Sequence, residues 1–189
     1  MKDLIKIGTM GRVVIQDVET GEVIMNKSNA IHPQHMALIL SRGISRDQNG
    51  YIFSIAFGNG GTFLNSVNQI VYRPPITIGN ATLYNQTYSV QVDDQSTGTP
   101  STNSVTSSPS TNPAITSIVT IIAQLNSTEP AGQAVTDNLT TSVNSTYTFN
   151  EMGLMSPDGL LLTHLTFNPF EKTSNRAFLV TYTLTIGVS

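Results

Sequence analysis

The sequence predicts a mainly β protein, an antiparallel β-sandwich or barrel that carries one α-helix near residues 33–42. β-branched and aromatic runs alternate with turn residues roughly every ten positions, a spacing typical of sandwiches and barrels. Residues 177–188 alternate with a period of two, as a half-buried strand does. Helix signals at both ends of a segment occur only at 33–42, so we expect one helix on a β framework.

Charged residues are scarce in this chain. Of 189 residues, 11% are Asp, Glu, Lys or Arg, against roughly 25% in ordinary soluble domains. The net charge of −3 offers no basic surface for nucleic acid or for an anionic membrane. An uncharged polar surface suits a β protein that packs against other proteins, and it also suits a polar monomer.

The length fits a single β-rich domain over residues 1–189. The absence of cysteine excludes disulfides, thiolate metal sites and thiol nucleophiles. Neither a secretory signal nor an apolar run of ~20 residues is apparent, so we expect a protein made in the cytosol without a membrane span.

The first two elements have clear boundaries. β-branched runs at 12–16 and 22–26 predict a hairpin, with Gly21 in its turn. The helix is predicted to begin at Pro33, whose missing N–H costs nothing in the first turn. We expect Gly43 to end it in a left-handed conformation.

Strands account for most of the chain beyond the helix. The apolar run 51–57 predicts a buried strand. It ends at the glycine-rich segment 58–62, which predicts a tight loop with several positive-φ positions. A polar turn is predicted at 168–175, and further strands are predicted at 70–72, 76–78, 82–84, 87–92, 115–125, 146–150, 160–167 and 177–188.

Residues 95–114 form a low-complexity tract rich in Ser and Thr. Because the tract has little to bury, it cannot offset the ~1–2 kcal/mol per residue that ordering a backbone costs. Its three prolines also argue against regular pairing. We expect a long flexible insertion, a loop or arm that orders against a neighbouring subunit.

No arrangement of residues points to catalysis or to a bound metal. His32 and His35 lie at the helix start without acidic neighbours, which predicts a polar helix cap and a surface residue rather than a metal site. The carboxylates are scattered, and the segment 58–62 lacks the Lys of a phosphate-binding loop. We therefore predict a protein that is not an enzyme, with no cofactor and no metal.

Two parts of the chain resemble virion structural proteins of tailed bacteriophages. The first is the helix followed by Tyr-Ile-Phe-Ser-Ile-Ala-Phe-Gly-Asn-Gly-Gly-Thr at 51–62, which is similar to a buried strand ending in a Phe/Leu-Gly-x-Gly loop. The second comprises Glu-Met-Gly-Leu at 151–154, Leu-Leu-Leu-Thr at 160–163 and Phe-Asn-Pro-Phe-Glu-Lys at 167–172. It resembles the C-terminal part of such proteins, which ends in a long strand. These parts cover less than half of the chain.

The resemblance implies a subunit of the neck, collar, tail or baseplate, present as a ring or as paired copies. We expect a non-catalytic neck or collar component at the head–tail junction that joins ring proteins or anchors fibres. A head decoration protein or a baseplate or tail-fibre adaptor is the alternative within that class, and a carbohydrate-binding β-sandwich is the alternative from another class.

The expected partners are other virion proteins and copies of the same chain in a homo-oligomer, with no nucleic acid and no membrane. The expected location is the virion, after synthesis in the host cytoplasm. Besides the arm 95–114, the residues expected at interfaces are Gly58, Asn59, Gly60, Gly61, Thr62, Pro157, Asp158 and Gly159.

Overall fold

The computed structural model describes residues 6–92, 103–109, 116–132 and 147–188. They form eleven strands and one helix within these ranges. In chain order the elements are β1 (Ile7–Asp17), β2 (Val23–Ile31), α1 (Pro33–Ser45), β3 (Ser54–Gly58), β4 (Thr62–Leu64), β5 (Ile70–Tyr72), β6 (Gln86–Gln91), β7 (Ser104–Pro109), β8 (Thr116–Leu125), β9 (Thr148–Met155), β10 (Thr163–Glu171) and β11 (Phe178–Val188).

Nine strands make one antiparallel sheet in the order β6-β3-β9-β10-β2-β1-β11-β8-β7. The sheet curls into a half-barrel, which confirms the predicted mainly β fold with one helix. Strands β4 and β5 form a separate two-stranded hairpin. No helix among the described residues is long and apolar enough to cross a membrane.

The predicted period of two in the last strand is confirmed by burial. Phe178, Val180, Tyr182 and Leu184 are all buried in the main core, and the residues between them are half-buried. β11 pairs with β1 on one side and with β8 on the other along its whole length. One face of this interior strand therefore supplies a continuous row of core side chains.

The helix begins at Pro33 as predicted, but it does not end at Gly43. It runs to Ser45, and Arg46 takes the left-handed conformation that closes it, with φ of 60°. Gly43 instead lies where the helix passes the following loop, since a Cβ there would be 3.1 Å from the carbonyl oxygen of Gly50. A side chain at this position would press on that oxygen, and the helix-ending prediction was wrong.

The strands predicted at 76–78 and 82–84 are also wrong. Residues 73–85, here called the covering segment, contain no strand and lie across one face of the sheet. Ala81 and Leu83 of this segment pack against Ala56 and Leu161 in a second apolar cluster. The covering segment thus buries apolar side chains without pairing as a strand.

Part of the predicted insertion is a strand. β7 pairs with β8 from Ser104 to Pro109, so the expectation that the tract would not pair regularly is wrong for these residues. β7 is the edge of the sheet and needs a partner on one side only, and Pro109 is tolerated because it ends that strand. Residues 95–102 and 110–114 lie outside the described part.

Strands β9 and β10 extend beyond the predicted strand limits. β10 continues to Glu171, into the region predicted as a polar turn. The register between β9 and β10 shifts after Thr166, which brings Phe170 opposite Phe149. Glu171 and Lys172 are both buried, and burial lowers the pKa of Lys172 to about 8.

Candidate functional site

The hairpin formed by β4 and β5 carries a concentration of exposed apolar side chains. The fractional exposure of its five exposed large apolar residues ranges from 38% to 68%, and none of them belongs to the buried core. They are Phe63, Leu64, Val67, Ile70 and Tyr72. Residues 62–72 contain no charged side chain. A cluster of this kind is typical of a surface that another protein covers.

The strand register separates these side chains onto two faces. Leu64 lies opposite Ile70 and Thr62 opposite Tyr72, so Leu64, Ile70 and Tyr72 share one face. Phe63 lies on the other face. Both faces of the hairpin therefore carry apolar side chains that are partly exposed, and charged side chains of neighbouring residues lie over the rings of Tyr72 and Phe63.

The turn of the hairpin is closed by its own hydrogen bonds. Oδ1 of Asn65 accepts from the backbone N–H of Val67 at 3.0 Å and from that of Gln69 at 2.9 Å. Asn68 takes a positive φ of 59°, which Asn tolerates well. The tip is thus pre-formed, and Val67 is held exposed on it.

A buried asparagine fixes the base of the hairpin. Nδ2 of Asn150 on β9 donates to the carbonyl oxygen of Asn59 at 3.0 Å and to Oγ1 of Thr62 at 2.9 Å. Oδ1 of the same side chain accepts from the N–H of Gly61 at 2.7 Å. The carbonyl oxygen of Gly61 in turn accepts from the backbone N–H of Arg73, just beyond β5, at 2.8 Å. Both ends of the hairpin are therefore tied to one point.

Glu151, the next residue on β9, is fully buried and accepts four hydrogen bonds. Oε1 accepts from the backbone N–H of Gly60 at 3.0 Å and of Asn85 at 2.8 Å. Oε2 accepts from the N–H of Tyr84 at 2.9 Å and from Nε2 of His164 at 3.0 Å. One carboxylate thus joins the hairpin base to the covering segment and to β10.

The hydrogen-bond partners of Glu151 and His164 determine which of their atoms carry protons. Nδ1 of His164 accepts from the backbone N–H of Ile76 at 2.8 Å, so the ring proton is on Nε2, and the imidazole is neutral. Burial acts to raise the pKa of Glu151, but hydrogen bonds from His164, Asn85 and Tyr84 outweigh it and hold that pKa below its usual value. Glu151 is therefore a carboxylate whose charge is met by donors.

The two histidines at the helix start are buried, which corrects the prediction of a surface residue. Nδ1 of His32 accepts from the N–H of His35 at 3.2 Å, so the predicted helix cap is confirmed. Nε2 of His32 donates to the carbonyl oxygen of Gly79 at 3.1 Å, and Nδ1 of His35 donates to that of Leu161 at 2.7 Å. The rings stack with centroids 3.6 Å apart.

Four buried polar side chains form hydrogen bonds with the backbone of the covering segment. The covering segment has backbone groups that no neighbouring strand pairs, and burying them unpaired would be costly. His164, Glu151 and His32 bond that backbone, and Oγ1 of Thr166 donates to the carbonyl oxygen of Arg73 at 3.0 Å. These four side chains thus satisfy backbone groups that a neighbouring strand would otherwise pair.

The predicted interface loop 58–62 lies at this base. Gly58, Asn59, Gly61 and Thr62 are buried, and Gly60 is half-buried. The expected positive φ angles are absent from its three glycines. The glycines serve close packing instead, because an added Cβ would meet the carbonyl oxygen of Asn85, the side chain of Tyr84 or the carbonyl oxygen of Asn150.

The second predicted interface group, residues 157–159, is an exposed turn. Pro157 is half-buried, Asp158 bonds Arg42 at 2.8 Å, and Gly159 takes a φ of 83°. This turn follows the end of β9 at Met155, whereas Gly58 pairs with Glu151 toward the strand's other end. The two groups therefore do not form one surface, and their role in contacts stays a prediction.

Sequence reasoning missed the exposed hairpin itself. A signal was present, because two apolar runs flank the turn-forming residues Asn-Ser-Val-Asn at 65–68 without any charge. What the pattern does not reveal is exposure, since an apolar hairpin is usually assigned to the core.

The described residues contain no group of three or more His, Cys, Asp or Glu side chains placed to hold a metal ion. No family model, curated protein or solved structure matches this chain. The hairpin presents exposed apolar side chains on a base that buried hydrogen bonds fix.

Proposed function

We propose that this chain is a non-catalytic structural subunit of a tailed-bacteriophage virion, a neck or collar component that binds its neighbours through the β4–β5 hairpin. The observation that carries the proposal is the uncharged, exposed hairpin on a buried polar base. Five large apolar side chains in contact with water are unfavourable for an isolated molecule, and a partner that covers them removes that cost.

The rigid base also supports an assembly role. Association loses free energy when loops must be ordered at the interface, about 0.5–1.5 kcal/mol for each flexible side chain. Here Asn150 and Glu151 hold both ends of the hairpin before any partner arrives. A pre-formed projection of this kind suits a subunit that meets its neighbours repeatedly in one geometry.

The two segments that carry the resemblance contact each other. The N–H of Gly60 in the first segment bonds Glu151 in the second, although they are 91 positions apart. In the second segment Gly153 lets Thr163 approach closely, and Thr163 accepts from the N–H of Leu154 at 3.0 Å. The residues that carry the resemblance therefore lie side by side in one structural unit.

Density for intact virions from the source that encodes this chain tests the proposal. We expect symmetric copies at the head–tail junction, with the hairpin covered by a neighbouring subunit. Density on the capsid surface or at the baseplate would favour a decoration protein or an adaptor instead. Absence of the chain from purified particles would refute the virion role.

A variant of the hairpin tip adds a functional test. Val67 is 68% exposed, so Val67→Asp leaves the fold intact and places a charge on the contact surface. We expect this variant to be excluded from particles when it competes with the natural chain. Val23→Asp, at a residue 52% exposed on β2, is the matched control and should be incorporated normally.

The carbohydrate-binding alternative depends on exposed aromatic faces. Tyr72 is 45% exposed, but Nζ of Lys27 lies 5.1 Å from its ring centre and covers one face. A glycan array decides between the two classes, because specific glycan binding that Tyr72→Ala abolishes would favour the alternative.

A further inference from the structure

Arg73 follows β5 directly and is held in place at the base of the hairpin. Its backbone N–H donates to the carbonyl oxygen of Gly61 at 2.8 Å, and its own carbonyl oxygen accepts from Oγ1 of Thr166 at 3.0 Å. The guanidinium lies over two aromatic rings, 5.7 Å from the ring centre of Phe63 and 5.0 Å from that of Tyr84. Contacts between a cation and aromatic rings stabilise an arginine side chain at an exposed position.

The ring of Tyr84 is itself fixed by hydrogen bonds. Its backbone N–H donates to Oε2 of Glu151 at 2.9 Å, and its hydroxyl donates to the carbonyl oxygen of Pro74 at 2.8 Å. Tyr84 is half-buried, whereas Arg73 is exposed. The guanidinium therefore rests at the surface on a fixed support, which reduces the side-chain entropy that binding a partner would cost.

No carboxylate meets this guanidinium in the part of the chain that the structure describes. The ion pairs there belong to other cations, namely Arg42, Arg176 and His164. Lys27 on β2 also has no carboxylate partner there, and its ammonium lies 5.1 Å from the ring centre of Tyr72. Since Tyr72 and Phe63 belong to different faces of the hairpin, the two cations flank the hairpin on different sides.

The chemistry of Arg73 specifies what a partner must offer. A guanidinium carries five N–H donors in a planar fork, and contact with an aromatic face leaves the donors at its edge available. A wholly apolar partner would take these donors out of water without pairing them, which costs free energy. A carboxylate matches the fork in a bidentate manner, and the hydrogen bonds to it are charge-assisted.

We infer that Arg73 binds an Asp or Glu side chain of the neighbouring protein that covers the hairpin, and that Lys27 binds a second acidic side chain of the same partner. The inference rests on the proposed function, for which it names the chemistry of the partner. The receiving surface is an apolar cleft with carboxylates on both margins, because the two cations lie on different sides of the hairpin. Charges placed in this way fix the orientation of the contact and exclude basic partners.

Charge reversal tests the inference in particles. Arg73→Glu should lower incorporation about tenfold or more when it competes with the natural chain, because like charges then face each other across the contact. Arg46→Glu makes the same change at an exposed arginine beyond α1 and should be incorporated normally. Arg73→Lys keeps the charge without the planar fork and should fall between them. Equal incorporation of both Glu variants, once circular dichroism shows that they are folded, would overturn the inference.

Density for intact particles tests the contact directly. We expect a carboxylate of the covering subunit within hydrogen-bond distance of the Arg73 guanidinium. An uncharged group of the covering subunit in that place would overturn the inference. A phosphate of packaged nucleic acid there would overturn it as well, since the cation would then serve a different class of partner.

A measurement on the isolated chain separates this inference from the proposed function. Nuclear magnetic resonance of isotope-labelled protein follows the Nε–H signals of Arg73 and Arg46 while a capped oligoglutamate peptide is added. We expect a saturating shift at Arg73 that exceeds any shift at Arg46, that about 0.5 M sodium chloride suppresses, and that oligoglutamine of the same length does not produce. Equal shifts at both arginines, or none at Arg73, would overturn the inference.

The two kinds of failure are distinguishable. If purified particles lack the chain but the Arg73 signal responds selectively to oligoglutamate, the virion role is refuted and the acid-binding site stands. If the chain is present in particles but Arg73→Glu is incorporated as well as Arg46→Glu, the acid-binding site is refuted and the virion role stands.

Discussion

Nε2 of His164 donates a hydrogen bond of 3.0 Å to Oε2 of Glu151, and both side chains are fully buried. The two residues lie diagonally across neighbouring strands, since Thr166, two positions beyond His164, is the direct partner of Glu151. Through Ile76 on one side and Gly60 on the other, the pair connects the covering segment with the base of the hairpin. The base of the exposed hairpin thus depends on a buried carboxylate.

Glu151→Gln is expected to destabilise the protein. The amide replaces one acceptor oxygen by an NH2 donor, which then faces a backbone or imidazole N–H. Because these donors are then left without an acceptor, the loss should be about 1–3 kcal/mol. Urea denaturation measures the change in the free energy of unfolding. Glu19→Gln makes the same chemical change at an exposed site and should stay within about 0.5 kcal/mol of the wild type. Equal losses in both variants would contradict the role assigned to Glu151.

Acid is expected to destabilise the protein through Asp17. The hydrogen bond from the N–H of Thr20 has the largest effect on the pKa of Asp17 and lowers it. Burial acts to raise this pKa, and the ion pair with Arg176 lowers it further. The resulting pKa is about 2, against 3.8 for an unperturbed Asp. The unfolded chain therefore binds more protons than the folded one between these values, so stability falls as pH falls through about 4 toward 2. Asp17→Asn should lower stability at pH 7 and make this acid dependence shallower. Parallel pH profiles of unfolding free energy for the two proteins would contradict the assignment.

The elements that a local sequence pattern determines were predicted correctly. The alternation from Phe178 to Leu184 requires only that one face be buried, and Pro33 marks a helix start by its own geometry. The β1–β2 hairpin was predictable for the same reason, because its turn and both strands are contiguous in the chain.

Long-range packing decided the features that the sequence did not reveal. Glu151 lies alone in its segment, and its donors come from residues 66 to 91 positions away, except for His164. The residues of β7 have no apolar pattern, and they form a strand because β8 offers a free edge. Gly43 fits a helix end locally, but the helix continues past it to Ser45, and Gly43 packs against Gly50. None of these partners can be read from neighbours in the chain.

Gly153→Ala is expected to destabilise the sheet. An added Cβ would overlap the carbonyl oxygen of Thr163 and a methyl group of Leu161, so the backbone of β9 or β10 must shift. Overpacking of this kind typically costs about 1–3 kcal/mol. Gly8→Ala is a matched control on β1, where a Cβ meets nothing within 4 Å, and it should be neutral or slightly stabilising. Thermal unfolding of both variants measures the difference, and a stable Gly153→Ala protein would show that the strands do not approach as described.

Asn103 links two strands that are far apart in the sheet order. Its Nδ2 donates to the carbonyl oxygen of Gln91 on β6 at 2.9 Å, and its Oδ1 accepts from the N–H of Gln124 on β8 at 2.9 Å. Because β6 is one edge of the sheet and β8 lies next to the other, this side chain holds the open half-barrel together.

Asn103→Ala should therefore loosen the half-barrel. Removing both bonds leaves two backbone groups unpaired, at about 1–3 kcal/mol for each group that stays buried. Hydrogen exchange should show faster exchange of the Gln124 amide, and Ser108→Ala, an exposed change on the neighbouring strand β7, should leave that rate unaltered.

Asn103→Asp separates the two bonds, because a carboxylate still accepts from Gln124 but cannot donate to Gln91. We expect this variant to keep the Gln124 amide protected while losing stability, and unchanged stability in both variants would show that the edges are held elsewhere.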